Sequence, residues 1–329
     1  MKIAVFSSKK YEIDCLNASN NNKHQFSFFD VPLNEVNAHL SKGHDVVCIF
    51  VNDDASASVL KRLKDYNVNY IAVRAAGTDQ TDIKTATQLG IKVANVPGYS
   101  PYAIAEHAVA LMLSLNRKVV IADRKVKMNN FLLDDLIGFD MNGKTVGVIG
   151  LGKIGGIVCK ILHGFGCKIL GFDIAPNEEY STKFGVRYVS LNELYKHSDI
   201  ISIHAPLNDH TKYMINKDTL SLMKDGVMIV NTGRGGLINT IDAIEALKRG
   251  KIGYLGIDVY EKEKGLFFYD HSNNILADDI FARLMAFKNV LITGHQAFLT
   301  QTALKNIADT TIYNLDCWAN KQSSENELA

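Results

Sequence analysis

Arg234 in "IVNTGRGG", Asp258, Glu261 and Glu263 in "GIDVYEKE", and His295 in "LITGHQAF" have the side chains needed to reduce a keto group. That reaction needs a proton donor at the oxygen. It also needs a cation that holds a neighbouring carboxylate or polarises the carbonyl, and an acidic group that tunes the donor. Histidine, arginine and a carboxylate supply one of each, and Asp258, Glu261 and Glu263 are equal candidates for the carboxylate. With ten histidines in the chain, one alone says little. The joint pattern says more, because each residue follows a run of strand-like composition, and open α/β sheets gather their chemistry beyond the carboxyl ends of strands.

A hydride carrier is indicated upstream by "VGVIGLGKIGG", Val146 to Gly156. The G-x-G-x-x-G spacing is weak by itself, but here it lies between a strand-like run and a segment with apolar residues at helical spacing. The run "KILGFD" then ends in Asp173, about 20 residues past the glycines, which completes the βαβ fingerprint of a dinucleotide site. Gly150 permits the tight turn, Gly152 lets backbone approach a pyrophosphate, and Gly155 allows close helix–strand packing. The helix N-terminus offers N–H groups and a favourable dipole to the anion. Asp173 is expected to accept hydrogen bonds from ribose hydroxyls and to repel a 2′-phosphate. Ile174-Ala175-Pro176-Asn177 provides no arginine to offset that repulsion, so NAD is favoured over NADP.

Ahead of these residues, "KIAVFS", "HQFSFFD", "DVVCIFV", "YIAVRA" and "KVANVP" read as strands. "NEVNAHLSK", "ASVLKRLKDY" and "DIKTATQLG" read as helices between them. Such alternation predicts an α/β fold with parallel strands covered on both faces. From Pro101, "PYAIAEHAVALMLSLNRKVVIADRKV" reads as one long helix able to join two domains. A second, larger sheet follows in "KTVGVIG", "KILGFD", "DIISIHA", "GVMIVNT", "GYLGIDV" and "NVLITG". The stretch "AFLTQTALKNIADTTIYNLDCWAN" reads as a closing amphipathic helix that crosses back over the first domain, and the polar tail "KQSSENELA" reads as frayed.

Composition narrows the partners. The 329 residues are enough for two domains, and 36 basic against 35 acidic residues leave a net charge of +1, so no net field draws in nucleic acid or anionic membrane. No run approaches the roughly 18 apolar residues of a membrane span, and no signal segment opens the chain, so a cytoplasmic protein with small-molecule partners is expected. The five cysteines form no C-x-x-C pair and read as reduced thiols, with no metal site.

Taken together, "GLGKIG" with Asp173, "NTGRG", "DVYEKE" and "GHQAF" resemble the D-2-hydroxyacid dehydrogenase family through nearly the whole chain. "CIFVNDD", "NVPGYSPYAIAEHAVALML", "GLFFYDHSNN" and "DDIFARL" resemble its fermentative members that interconvert pyruvate and D-lactate. The resemblance implies two Rossmann-like or flavodoxin-like parallel-sheet domains with the active site in the cleft between them. Residues 1–99 plus 298–329 would form a discontinuous substrate domain, and residues 100–297 an NAD domain.

The resemblance makes His295 the acid/base, Glu263 its carboxylate partner and Arg234 the holder of the substrate carboxylate and carbonyl. It places the backbone of Ala76 and Gly77 and the hydroxyl of Tyr99 around that carboxylate, and Phe298 near the substrate methyl. Lys153 and Ile154 fall at the pyrophosphate, and Ala205, Pro206, Thr232 and Gly233 line the cofactor cleft. Asp258 meets the nicotinamide side. A homodimer or homotetramer through the helix after Pro101 is implied as well. Reductases of glyoxylate, hydroxypyruvate or 2-ketoisocaproate, and a non-catalytic dinucleotide sensor, are alternatives. Gly233 and Gly236 make the arginine turn glycine-rich, which predicts a loosened placing of Arg234.

Overall fold

The short β-branched runs become strands in the computed structural model, which describes residues 1–329. Two units result, Met1–Ser100 with Leu299–Ala329 and Pro101–Phe298. In the first, β1 (Lys2–Val5), β2 (Gln25–Phe28), β3 (Val46–Ile49), β4 (Tyr70–Val73) and β5 (Lys92–Ala94) form one sheet, all parallel, in the order β2-β1-β3-β4-β5. That order is the flavodoxin-like one. The inner strand β3 is buried at all its positions, as a central parallel strand covered on both faces must be. Of the expected helices, Ala57–Asp65 and Ile83–Gln88 form, whereas "NEVNAHLSK" yields only a 3-10 turn at Asn37–Ser41. A helix at Lys10–Asn20 was not evident from the sequence.

The closing helix, Gln301–Ala319, is capped by the Thr300 hydroxyl, which accepts from Ala303 N at 3.2 Å. It packs on helix Lys10–Asn20, and Trp318 stacks on Tyr70 with ring centroids 4.9 Å apart. The tail is not frayed. It runs antiparallel along the free edge of β5, with Leu328 N donating to Val93 O at 2.7 Å and Val93 N to Ala329 O at 3.1 Å. Glu327 anchors it by accepting from the Trp318 indole at 2.8 Å and Ser324 N at 2.9 Å. An unpaired parallel edge exposes backbone groups, and a mostly polar segment that supplies their partners becomes ordered, with Ala329 packed against the core.

In the second unit, β6 (Thr145–Ile149), β7 (Lys168–Phe172), β8 (Val186–Tyr188), β9 (Ile200–Ile203), β10 (Val227–Asn231), β11 (Ile252–Ile257) and β12 (Val290–Ile292) are all parallel. Their order is β12-β11-β10-β9-β6-β7-β8. The order reverses between β6 and β9, which is where such sheets bind ligands. The stretch after Pro101 is two helices instead of one, Pro101–Asn116 and Val119–Lys127, broken at Lys118 with φ +51°. The first buries Ala105, Ala108, Leu111 and Met112 against the sheet and helix Lys153–Gly164, whereas the second buries nothing within the chain. No helix is long and apolar enough to cross a membrane.

Candidate active site

The glycine turn leaves β6 as its spacing requires. Gly150 sits at φ +85°, and a Cβ there would lie 2.7 Å from the His204 carbonyl carbon. At Gly155 a Cβ would lie 2.0 Å from Gly150 O, so the helix start can approach the strand end only without a side chain. Gly152 is the N-cap of helix Lys153–Gly164, makes no side-chain cap bond and has nothing within 4 Å of its would-be Cβ. Lys153 is exposed and Ile154 half-buried beside this open helix N-terminus. At the end of β7, Asp173 accepts from Leu151 N at 2.6 Å and from Ala175 N at 2.8 Å, which fixes its carboxylate beside the turn.

Along the same sheet edge, Ala205 and Pro206 follow β9, and Thr232 and Gly233 follow β10. The buried Thr232 hydroxyl has no hydrogen-bond partner in the chain. That orphaned polar atom, the open space at Gly152 and the uncapped helix fit a bound dinucleotide. His204, which the sequence reading did not single out, bonds the Ser202 hydroxyl through Nε2 at 2.8 Å, and burial lowers its pKa to about 4, so the ring is neutral.

The arginine turn is tighter than its glycine content predicts. Asn231 accepts from Gly233 N at 3.0 Å and donates to Arg234 O at 2.9 Å, clamping the turn from both sides. Arg234 Nη1 donates to Gly233 O at 3.0 Å. The position where glycine is required is Gly235, where a Cβ would lie 2.1 Å from the Tyr260 carbonyl carbon and 2.2 Å from Glu261 N. Gly233 would accept a methyl group at ordinary contact distances of 3.5 Å and beyond. The close approach at Gly235 sets the turn bearing Arg234 against the turn bearing Glu263.

His295 and Glu263 meet. Nδ1 of His295 lies 2.8 Å from Glu263 Oε1, and Glu263 Oε2 accepts from Tyr260 N at 3.0 Å. Of the three candidate carboxylates, this is the one on the imidazole. Glu261 instead accepts from the Tyr213 hydroxyl at 2.7 Å. His295 has φ +55°, a left-handed conformation unusual for a residue with a Cβ. Asp258 holds it there: its backbone O accepts from His295 N at 2.7 Å, and its carboxylate accepts from Gln296 N at 2.9 Å, Ala297 N at 2.8 Å and the Thr293 hydroxyl. Thr293 also bonds His107 Nε2 at 3.0 Å. Asp258 is 0% exposed, with both oxygens engaged by these donors. The Phe268 ring lies 5.7 Å from the His295 ring, and Phe298 is buried.

In the first unit, Ala76 is exposed while Gly77 and Tyr99 are half-buried. The Ala76 carbonyl accepts from Asn95 Nδ2 at 2.8 Å, and the Tyr99 carbonyl accepts from Asn306 Nδ2. In the second unit Asn231 braces the Arg234 turn, Gly235 lies against the turn after β11, Phe268 lies beside His295 and His107 bonds Thr293, and in the first unit Asn95 braces the Ala76 turn; the motifs single out none of the five. "NTGRG" and "NVPGY" did contain the asparagines, whose usual place beside turns was the available signal.

A switch-point sheet with a glycine turn and a histidine–glutamate pair at its carboxyl edge defines an NAD-binding α/β oxidoreductase. Comparison with known proteins narrows the class. The family model "D-isomer specific 2-hydroxyacid dehydrogenase, NAD binding domain" matches residues 109–297. The chain is 48% identical over 329 residues to D-lactate dehydrogenase of Escherichia coli K12, covering 100% of both. It superposes on the solved structure of the pyruvate reductase of Chlamydomonas reinhardtii with a TM-score of 0.93, at 42% identity over 99% of this chain and 98% of that one. On the Aquifex aeolicus D-lactate dehydrogenase complexed with NAD and lactic acid the TM-score is 0.87, at 30% identity over 97% and 96% of the two chains. The chain belongs to the D-isomer specific 2-hydroxyacid dehydrogenase family and is an NAD-dependent enzyme of that family.

Proposed function

We propose that the enzyme reduces pyruvate to D-lactate and runs the reverse oxidation at the same site. The observation that carries the reading is the His295–Glu263 pair at 2.8 Å, on a sheet edge shared with the Arg234 turn. Bound NAD supplies or accepts the hydride. With Nδ1 held by Glu263, His295 presents Nε2 to the substrate oxygen, giving a proton during reduction and taking one during oxidation. Glu263 balances the imidazolium. Arg234 pairs with the substrate carboxylate and stabilises charge growing on the keto oxygen. Ala76 and Gly77 N–H and the Tyr99 hydroxyl bind the same carboxylate, and Phe298 bounds the methyl side. Lys153, Ile154, Gly152, Asp173, Ala205, Pro206, Thr232 and Gly233 hold the cofactor, and Asp258 keeps the His295 turn in place.

The homo-oligomer is proposed to form through helix Val119–Lys127 and the segment after it. There Phe131, Leu132, Leu133 and Ile137 are 70%, 64%, 77% and 83% exposed, and a second copy of the chain is the occupant that would cover them. A cytoplasmic location agrees with five free cysteines, three of them buried.

The test is NADH oxidation by purified protein with pyruvate, glyoxylate, hydroxypyruvate and 2-ketoisocaproate in parallel, with a stereospecific assay of any lactate. Pyruvate preference with D-lactate as product supports the proposal. Preference for another keto acid overturns the substrate, and NADH binding without oxidation by any keto acid overturns the catalytic reading. Light scattering of the Leu133→Glu variant beside the wild type tests the oligomer.

A further inference from the structure

The turn Ala75-Ala76-Gly77 follows β4 and the turn Asn95-Val96-Pro97-Gly98-Tyr99 follows β5, so two adjacent parallel strands deliver both to one edge of the first sheet. Beyond the strand ladder two further bonds join the turns: Val96 N donates to Ala75 O at 3.1 Å, and Asn95 Nδ2 donates to Ala76 O at 2.8 Å. A trans peptide is planar, and its C=O and N–H point in opposite directions. Holding the Ala76 carbonyl toward buried Asn95 therefore turns the Gly77 N–H away from Asn95. Ala76 is exposed, so water would satisfy its carbonyl equally well. The bond from Asn95 is dispensable for satisfying that carbonyl and decisive for its direction.

Asn95 is itself held at both its backbone N–H and its carbonyl by the C-terminal segment. Its backbone N donates to Asn326 O at 3.3 Å, and its carbonyl accepts from Asn314 Nδ2 at 3.0 Å. Asn314 Oδ1 accepts in turn from Ser324 Oγ at 2.5 Å and Asn326 Nδ2 at 2.9 Å. Two turns nearer the start of helix Gln301–Ala319, on the same face, Asn306 holds the Tyr99 carbonyl. Buried amides such as Asn95 and Asn314 are costly unless bonded, and each has found a partner on a turn or on its neighbour.

We infer that Asn95 is a positioning residue for substrate recognition. It aims the Gly77 N–H at the carboxylate of a 2-keto acid, and the C-terminal helix and tail set Asn95. The inference rests on the proposal above that the Ala76-Gly77 backbone binds that carboxylate.

The experiment compares full-length wild type with Asn95→Ala and Asn95→Asp. The aspartate variant keeps size and backbone bonds but has no side-chain donor for Ala76 O. The readouts are KM for pyruvate, the inhibition constant of oxamate, kcat, NADH affinity and melting temperature. Loss of one hydrogen bond to a charged group predicts a rise of about tenfold in KM and in the oxamate constant, with kcat and NADH affinity within about twofold. A folded Asn95→Asp with wild-type KM and oxamate inhibition overturns the inference, and a fall in melting temperature alone marks a structural role and overturns it too. Gly77→Pro, which removes the N–H, separates the two levels. Unchanged KM in that variant refutes the carboxylate reading itself, whereas raised KM there with unchanged Asn95 variants refutes only the role of Asn95.

Discussion

Replacing Asp258 by asparagine changes one oxygen to an amino group at constant shape, and the structure fixes what that does. The carboxylate accepts Gln296 N and the Thr293 hydroxyl on Oδ1 and Ala297 N on Oδ2, all in a fully buried position. An amide has a single acceptor atom, so its best setting keeps the Oδ1 bonds and leaves Ala297 N facing another donor. One buried unsatisfied N–H costs about 1–3 kcal/mol, and losing the charge from the other two bonds adds about 1 kcal/mol. The sum, about 3 kcal/mol, is larger than the roughly 1–2 kcal/mol by which a residue with a Cβ resists the left-handed conformation, so the support lost is on the scale of the strain it holds at His295. The turn relaxes and carries the imidazole off Glu263. Misplacement on the order of 1 Å costs on the order of 100-fold in rate. Asp258→Asn is therefore expected to unfold in urea with about 3 kcal/mol less stability and to lose about 100-fold in kcat for pyruvate, while binding NADH within about twofold. Wild-type kcat in a variant destabilised as calculated would refute the argument. Weakened NADH binding with kcat intact would instead return Asp258 to the nicotinamide contact that the family resemblance implies.

Three other outcomes follow from the same contacts. Gly155→Ala puts a methyl carbon 2.0 Å from Gly150 O, so NADH affinity should fall by more than about tenfold in titrations of NADH fluorescence, and a smaller loss would show that the turn can yield. Glu263→Gln removes the charge, worth about 1–2 kcal/mol, and its single acceptor oxygen can serve His295 or Tyr260 N but not both, so kcat should drop about 10- to 30-fold with a loss of about 1 kcal/mol in stability. His204 is held neutral by burial, with its pKa lowered to about 4 from 6.5, so the unfolded chain binds a proton there that the folded chain refuses. Its contribution is fully present above pH 6.5 and is lost as pH falls toward 4. Urea unfolding at pH 4.5 should consequently show His204→Gln recovering up to about 2–3 kcal/mol relative to its difference from wild type at pH 7, and parallel pH profiles would refute this.

Most strands were legible because a parallel strand covered on both faces is an apolar run, and β3 and β10 are buried throughout. What escaped had its physical signal elsewhere. Helix Lys10–Asn20 buries Glu12, Leu16 and Asn20, spaced as a helix face should be, but two of the three are polar. Glu12 is buried because Arg74 lies against it at 3.4 Å, a partner that no local period reveals. The tail "KQSSENELA" contains almost nothing apolar and is ordered by backbone pairing with β5, which depends on which strand is left at the sheet edge. The break at Lys118 involves neither proline nor glycine, and the exposed apolar residues beyond it continue the helical pattern while burying nothing in this chain.

At the site, the motif reading pointed to residue types able to do chemistry, and the structure adds a second set that holds them. In the second unit Arg234 has Asn231 on its turn, His295 has Asp258 and the glycine turn has Asp173, and in the first unit the Ala76-Gly77 turn has Asn95, in each case a short polar side chain bonded to backbone N–H or C=O. The recurrence has a cause. Beyond the end of a parallel strand the ladder bonds stop, and the freed backbone groups need partners that a short carboxylate or amide can supply without leaving the turn. The same bonds fix the direction of the neighbouring donor, so stability and preorganisation come from one contact. Loss of activity alone therefore cannot separate the two sets. Removing Arg234 should lower turnover in a protein of nearly unchanged stability, whereas removing Asn231 or Asp258 should lower both together, and that correlation across variants is what distinguishes a group acting on the substrate from one acting on the turn.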